Sequence, residues 1–309
     1  VIKSKLSAYK KREDKNMSFN SQVLKISGER LEVEIARPGT FYSGSRFDWT
    51  GFITGVKLDG KHTFCAPESL IPGEGSGGFG FCNEFGIHTP IGYDEAKPGE
   101  KFHKIGTGLL TRPDESNYFF FDKYVVTPYP IKIDCASDHV TFEVEPVECR
   151  GYAFHMTKTV CVNQNRMTIK YILKNVGSKT IHTEEYCHNF ISIDNTPTCS
   201  DYVLKFPYSA ETEETPDVLT VKGNEITWNT QPQNDFYIVP GGFKPVENHT
   251  WELVHKPTGV GVREISNFPV QKVAVWGKGH VISPEVFIEV HIEPGQTQSW
   301  ERIYEFFTI

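Results

Sequence analysis

Residues 158–193 read KTVCVNQNRMTIKYILKNVGSKTIHTEEYCHNFISI. Two runs of alternating apolar and polar residues flank Asn163-Gln164-Asn165, and a further run ends in Tyr186-Cys187-His188-Asn189-Phe190. Period-two alternation puts successive side chains on opposite faces, as in a strand with one buried side, and the Asn-Gln-Asn triplet reads as a turn. From Ile181 onward, His182, Glu184, Tyr186, His188 and Phe190 then share one face, while Thr183, Glu185, Cys187 and Asn189 share the other.

The same alternation recurs along the chain: Val23 to Ile26, Leu31 to Ile35, Phe119 to Val126, Ile131 to Ile133, Val140 to Val144, Val203 to Phe206, Val218 to Val221, Ile226 to Trp228, Val273 to Trp276, Phe287 to Ile292 and Ser299 to Phe307. Each run is closed by turn-forming residues, and none keeps a helical period. With 26 glycines and 19 prolines as punctuation, more than a dozen strands predict an all-β fold. The expected architecture is a large antiparallel β-sandwich, with residues 17–309 as a single domain. A chain of 309 residues with 38% hydrophobic content can bury such a core. Residues 1–16 precede Met17 and carry a basic run from Lys3 to Arg12; they read as an upstream or appended segment outside the fold.

A net charge of −7 with no basic cluster in the body argues against a nucleic-acid partner. No apolar run reaches the ~18 residues of a membrane span, and no signal-peptide core is present, so no membrane partner and a cytoplasmic location are expected. Seven scattered cysteines without a C-x-x-C spacing predict reduced, mostly buried thiols. The stretch from Cys65 to Gly108 is the least regular. It carries five glycines between Gly73 and Gly80, and the aromatics Phe79, Phe81, Phe85 and Tyr93. It reads as a long binding loop, and it lacks the Lys-Ser/Thr ending of a phosphate loop.

The face bearing His182, Glu184, Tyr186 and His188 supports three readings: a sugar-binding face, a metal site, or a hydrated outer surface. Residues two apart on a strand stand nearly 7 Å apart, so a shared ion would need partners from elsewhere, and no metal is expected. Near the C-terminus, the strand from Lys272 to Ser283 meets Pro284-Glu285, which predicts a carboxylate at a sheet rim, either solvated or positioned. Glu289 and Glu293 read as the exposed face of the next strand. In Ser45 to Phe52, Arg46 and Asp48 alternate with aromatics, as in a carbohydrate surface or in an Arg46–Asp48 pair that holds register.

Three elements together resemble the galactose mutarotase-like, or aldose 1-epimerase, superfamily over most of residues 20–309. They are Met167 to Gly177 followed by Thr183 to Ser192 with His188; Glu285 after a strand bearing Trp276; and Asn83-Glu84-Phe85-Gly86 with Phe102-His103-Lys104. The resemblance implies a large supersandwich acting on a monosaccharide or sugar derivative with no cofactor, with His188 as general acid and Glu285 as general base. It points to Glu84, His103, Lys104 and, loosely, Asp235 as substrate-binding residues, beside Arg46, Asp48 and Tyr186. The superfamily's His-Gly-x-x-Arg element is replaced by His103-Lys104-Ile105-Gly106, which leaves its arginine role to Arg46. Anomer exchange then calls for a carboxylate ionised at pH 7 and a histidine near ~6.5 that converge across a sugar-sized gap. A non-catalytic carbohydrate-binding module would need no such convergence. A polysaccharide lyase or hydrolase would want two carboxylates, such as Glu84 and Glu285.

Overall fold

Three antiparallel sheets gather the alternating stretches in the computed structural model, which describes residues 22–244 and 248–309. The expected upstream segment, residues 1–16, lies outside the described residues. A nine-stranded sheet runs in the order Val23–Ser27, Leu31–Ala36, Phe52–Leu58, Phe81–Phe85, Ile181–Asn189, Val281–Ile292, Lys272–Lys278 and Phe236–Ile238, with His62–Thr63 paired to Phe52–Leu58. A ten-stranded sheet has Thr297–Thr308, Arg166–Asn175 and Phe154–Asn163 at its centre. A small third sheet joins Lys101–Lys104, Gly108–Thr111 and Val125–Pro128. The architecture is a large antiparallel β-sandwich.

The two large sheets meet through the inward half of each alternation. Phe85 packs edge-on to Tyr171 and Trp300, and Phe81 does the same to Tyr304 and Phe306, so aromatic contacts cross from one sheet to the other. Each such pair adds about 0.5–1.5 kcal/mol beyond the area it buries. The inner layer also holds a buried polar network. Glu185 accepts from Asn83, Trp300 and Arg302 at 2.7–2.9 Å, and Arg302 also bonds Glu264 at 2.9 Å. Buried charges persist only when paired and hydrogen-bonded in this way.

Several sequence expectations change. Phe119 to Phe121 is not a strand; pairing begins at Val125, and Phe119 and Phe121 are about half exposed. Part of the expected long loop is ordered as the strands Phe81–Phe85 and Lys101–Lys104. The alternation from Lys272 breaks after Lys278, so Pro284 and Glu285 lie inside the twelve-residue strand Val281–Ile292 and not at a rim turn. The seven cysteines are all unpaired, but only Cys82 and Cys187 are buried.

Candidate active site

The strands Ile181–Asn189 and Val281–Ile292, here the histidine strand and the glutamate strand, pair from Ile181–Ile292 to Tyr186–Phe287. The ladder then lapses and resumes in the same register at Ile191–Ile282, so His188 and Glu285 face each other across it. The cause is Pro284. Ile191 and Ile282 exchange two backbone hydrogen bonds, and alternation puts Asn189 and Pro284 at the next such position, where proline has no N–H to give. Asn189 therefore donates its backbone N–H to Ser283 Oγ (2.9 Å) and its side-chain amide to the Pro284 carbonyl (2.5 Å).

Into this gap comes Ser283. Its Oγ lies 2.8 Å from His188 Nδ1 and 3.1 Å from Glu285 Oε1, and the imidazole and carboxyl are themselves 3.3 Å apart. A hydroxyl has one proton and accepts twice. Having accepted from Asn189, Ser283 donates to Glu285 and accepts from His188 Nδ1–H. With Ser283 donating in this direction, the imidazole carries its proton on Nδ1 and Nε2 is an acceptor. The ring is stacked on Phe190 with centroids 3.8 Å apart and meets the Trp276 and Phe47 rings edge-on at 5.2 and 6.1 Å. Gly78 permits this stack, because a Cβ there would fall 2.3 Å from the Phe190 ring.

Beside the pair lies a charged cluster on the same sheet face. Strand register sets Glu84 against Tyr186. Glu84 binds Arg46 Nε at 2.8 Å, Lys104 Nζ at 3.1 Å and the Tyr186 hydroxyl at 2.6 Å. Arg46 also donates from Nη1 to Ser76 Oγ (3.0 Å) and from Nη2 to the Tyr186 hydroxyl (3.0 Å). Ser76 is in turn held by Glu68, which also accepts from the backbone of the glycine-rich loop. The Arg46 guanidinium lies over the Phe47 and Phe120 rings at 4.7 and 4.4 Å.

Charge in the pair follows from burial. His188 and Glu285 are each 4% exposed. Burial disfavours the charged form of both groups. It pushes the Glu285 pKa up to about 8, with Arg46 opposing, and it drives His188 well below its usual range, with the charge of Arg46 acting in the same direction. At pH 7 the pair is therefore a protonated carboxyl beside a neutral imidazole. This reverses the expected ionised carboxylate, and the two groups touch instead of standing across a sugar-sized gap.

Of the residues expected to bind substrate, Arg46, Glu84, Lys104 and Tyr186 come together in the charged cluster. Three do not join them. Asp48 is buried between the sheets on Lys158 (3.2 Å), Tyr171 (2.8 Å) and Thr50, so the alternative Arg46–Asp48 pair is absent too. His103 points inward, fully buried against the Tyr129 hydroxyl (2.6 Å), and burial pushes its pKa down to about 4. Asp235 is exposed in an open cleft with Lys278 and His280, before an edge strand two strands away from Glu285. Sequence reasoning missed Ser283 and Glu68. Ser283 was within reach, because it precedes Glu285 by two and must share its face.

No protein-family model and no curated protein matches the chain. Solved structures do. A galactose mutarotase-related enzyme from Lactobacillus acidophilus superposes with a TM-score of 0.62 at 11% identity, covering 93% of this chain and 97% of that one. A galactose mutarotase-like protein from Lactobacillus casei gives 0.59 at 11% identity, over 92% and 100% of the two chains. A candidate aldose 1-epimerase from Escherichia coli K12 gives 0.62 at 10% identity, over 93% and 99%. The fold of this chain is thus the galactose mutarotase-like β-sandwich.

Proposed function

We propose that this protein interconverts sugar anomers as an acid–base isomerase of the aldose 1-epimerase type, with Glu285 and His188 as its proton-transfer pair. The observation that carries the reading is the buried pair itself: facing positions on neighbouring strands, one serine bridging them, and pKa values displaced in opposite directions. The ring oxygen and the C1 hydroxyl are both bonded to C1, so a donor and an acceptor side by side serve as well as two groups across a gap.

In ring opening, His188 Nε2 takes the proton of the C1 hydroxyl while protonated Glu285 gives its proton to the ring oxygen; the bond from C1 to the ring oxygen breaks and a C1 carbonyl forms. The imidazolium and carboxylate left behind stabilise each other at contact distance. After rotation about C1–C2, Glu285 takes the hydroxyl proton and His188 returns its own to the carbonyl oxygen, which restores the neutral pair. The resemblance implies the opposite assignment, Glu285 as base at the C1 hydroxyl and His188 as acid at the ring oxygen; the protonation that burial favours exchanges the two groups between these oxygens. Each group contributes roughly 10²–10⁴-fold. The Phe120 and Phe121 rings lie over the Arg46 guanidinium at 4.4 and 5.4 Å and cover that side of the cluster.

The test is anomer exchange followed by NMR over a panel of reducing monosaccharides, with Glu285→Gln and His188→Asn. Each variant should lose about 10²-fold or more; a folded variant that keeps the parent rate overturns the assignment. One observation favours a second reading, sugar binding without turnover: Arg46 gives only three of its five N–H groups to Glu84, Ser76 and Tyr186, which leaves donors for sugar hydroxyls beside the pair. Saturable binding by a parent protein that exchanges no sugar of the panel would establish that reading instead. A hydrolase using Glu84 with Glu285 has little support, since Glu84 is fully buried and tied to two cations.

A further inference from the structure

Toward the start of the histidine strand, the face that carries the active site turns to solvent. There His182 and His291 stand directly opposite each other in register, with ring centroids 5.2 Å apart, and Glu289 lies two residues from His291 on the same face. His182 Nε2 is 3.0 Å from Glu289 Oε1, and one ligand atom from each of the three side chains lies within 4.8 Å of the others. We propose that His182, Glu289 and His291 form a surface site for a late first-row divalent metal ion such as Zn²⁺.

Two imidazoles and one carboxylate are a donor set such ions accept, with room for water in the fourth position. Tetrahedral ligation at about 2.1 Å puts ligand atoms about 3.4 Å apart, and exposed side chains close the remaining distance by rotating. A strand alone cannot offer this, because its own alternate residues stand too far apart; the neighbouring strand supplies the missing partners. The surroundings are built for it. Glu293 lies 3.2 Å from His291 Nε2 and accepts from Thr180 at 2.6 Å, so one imidazole nitrogen is already held by a carboxylate, as the outer shell of a metal site requires. Gln298 accepts from the His291 N–H (3.0 Å) and donates to the Glu289 carbonyl (2.8 Å), which fixes the backbone between the two ligands.

Charge gives an independent argument. Glu184 stands opposite Glu289 in register, and one of its carboxylate oxygens is buried with no hydrogen-bond partner. Like charges directly opposite each other on a sheet are destabilising. Among the described residues no lysine or arginine forms an ion pair with Glu184, Glu289 or Glu293; the partners of Glu289 and Glu293 are the two histidines. A bound dication would compensate this group. His182 is six residues, about 20 Å, from His188, so the ion stands apart from the proposed proton transfer and ties together the two strands that carry it.

The experiment is calorimetric titration of the full chain with ZnCl₂ in a Cys135→Ser background, which removes the exposed thiol as a competing ligand. One equivalent should bind, and His182→Ala and His291→Ala should each weaken binding at least about tenfold. His139→Ala, at an exposed histidine beside Asp138, should leave it unchanged. All three are surface substitutions that preserve the fold, and thermal stabilisation by ZnCl₂ should vanish in the same two variants. Absence of saturable binding in the parent, or equal affinity in His182→Ala and the parent, overturns the site.

Discussion

Glu84 and Glu285 are two buried carboxylates on one sheet face, on strands that flank the histidine strand on either side, and their proton affinities move in opposite directions. Burial pushes both upward. At Glu84 the charges of Arg46 and Lys104, with the Tyr186 hydroxyl, outweigh it and hold the group below its usual range. At Glu285 the contacts are a serine and an imidazole that is itself kept neutral, so burial prevails and the pKa rises to about 8. Depth alone therefore does not make a proton donor. Withholding a contacting cation does: Arg46 and Lys104 pair directly with Glu84, while Arg46 and Lys272 act on Glu285 without an ion-pair contact and do not outweigh burial.

The largest effect should come from breaking the compensated side. Glu84→Gln leaves Lys104 buried without its ion-pair partner and Arg46 with only the more distant Glu68 (4.0 Å), and should cost about 3–5 kcal/mol in urea unfolding at pH 7. Because the folded-state pKa of Glu84 is lowered, its contribution is present above the unfolded value of ~4.3 and is lost as pH falls through the folded one. The gap between parent and variant should thus shrink in acid. A loss below about 1 kcal/mol at pH 7 would remove the cations as the cause of the difference.

Glu285 should show the opposite sign. Its folded-state pKa is raised, so its contribution is full below the unfolded ~4.3 and is lost as pH rises toward about 8. Relative to Glu285→Gln, the parent should lose up to about 1.4 kcal/mol per pH unit across that window, measured by urea unfolding between pH 5 and 8. A stability difference independent of pH would mean that Glu285 is ionised throughout. Anomer exchange should correspondingly fall above about pH 8 as the carboxyl loses its proton.

Ser283→Ala probes the bridge. It should cost about 1 kcal/mol of stability and lower kcat with little change in KM, because the imidazole loses the partner that sets its tautomer. Smallest of all, Phe120→Ala removes one ring from the Arg46 guanidinium, worth about 0.5–1 kcal/mol. It should lower KM by opening the face above the cluster. An increase in KM would make Phe120 a substrate contact instead of a cover.

Strands were legible because alternation is written into each segment, and His188 and Glu285 were legible as polar residues within or beside such runs. Their direct contact was not, since it depends on register between strands nearly a hundred residues apart in sequence. Alternation also leaves open which face is which. His103 and Lys104 are neighbours on one strand; the lysine reaches the site and the histidine the interior, and the pattern alone does not choose. Arg46 and Asp48 lie on irregular backbone, where shared parity implies no shared face. Glu289 and Glu293 were rightly read as exposed, yet their pairing with His182 and His291 comes only from the strand alignment.

Pro284 has a further consequence for how the chain finds its alignment. A proline inside a paired strand leaves one ladder hydrogen bond unmade, and here Ser283 and the Asn189 side chain fill the opening. Sliding the glutamate strand by one residue would turn Glu285 toward the sandwich interior, onto the side of Glu185 and Glu264, and would carry Ser283 and Pro284 away from the Asn189 groups that fill the opening. Misaligned pairings are thus penalised twice, by a buried carboxylate and by an opening left without its substitute hydrogen bonds. The residue that opens the ladder for Ser283 also selects, among the possible alignments of the two strands, the one in which His188 and Glu285 meet.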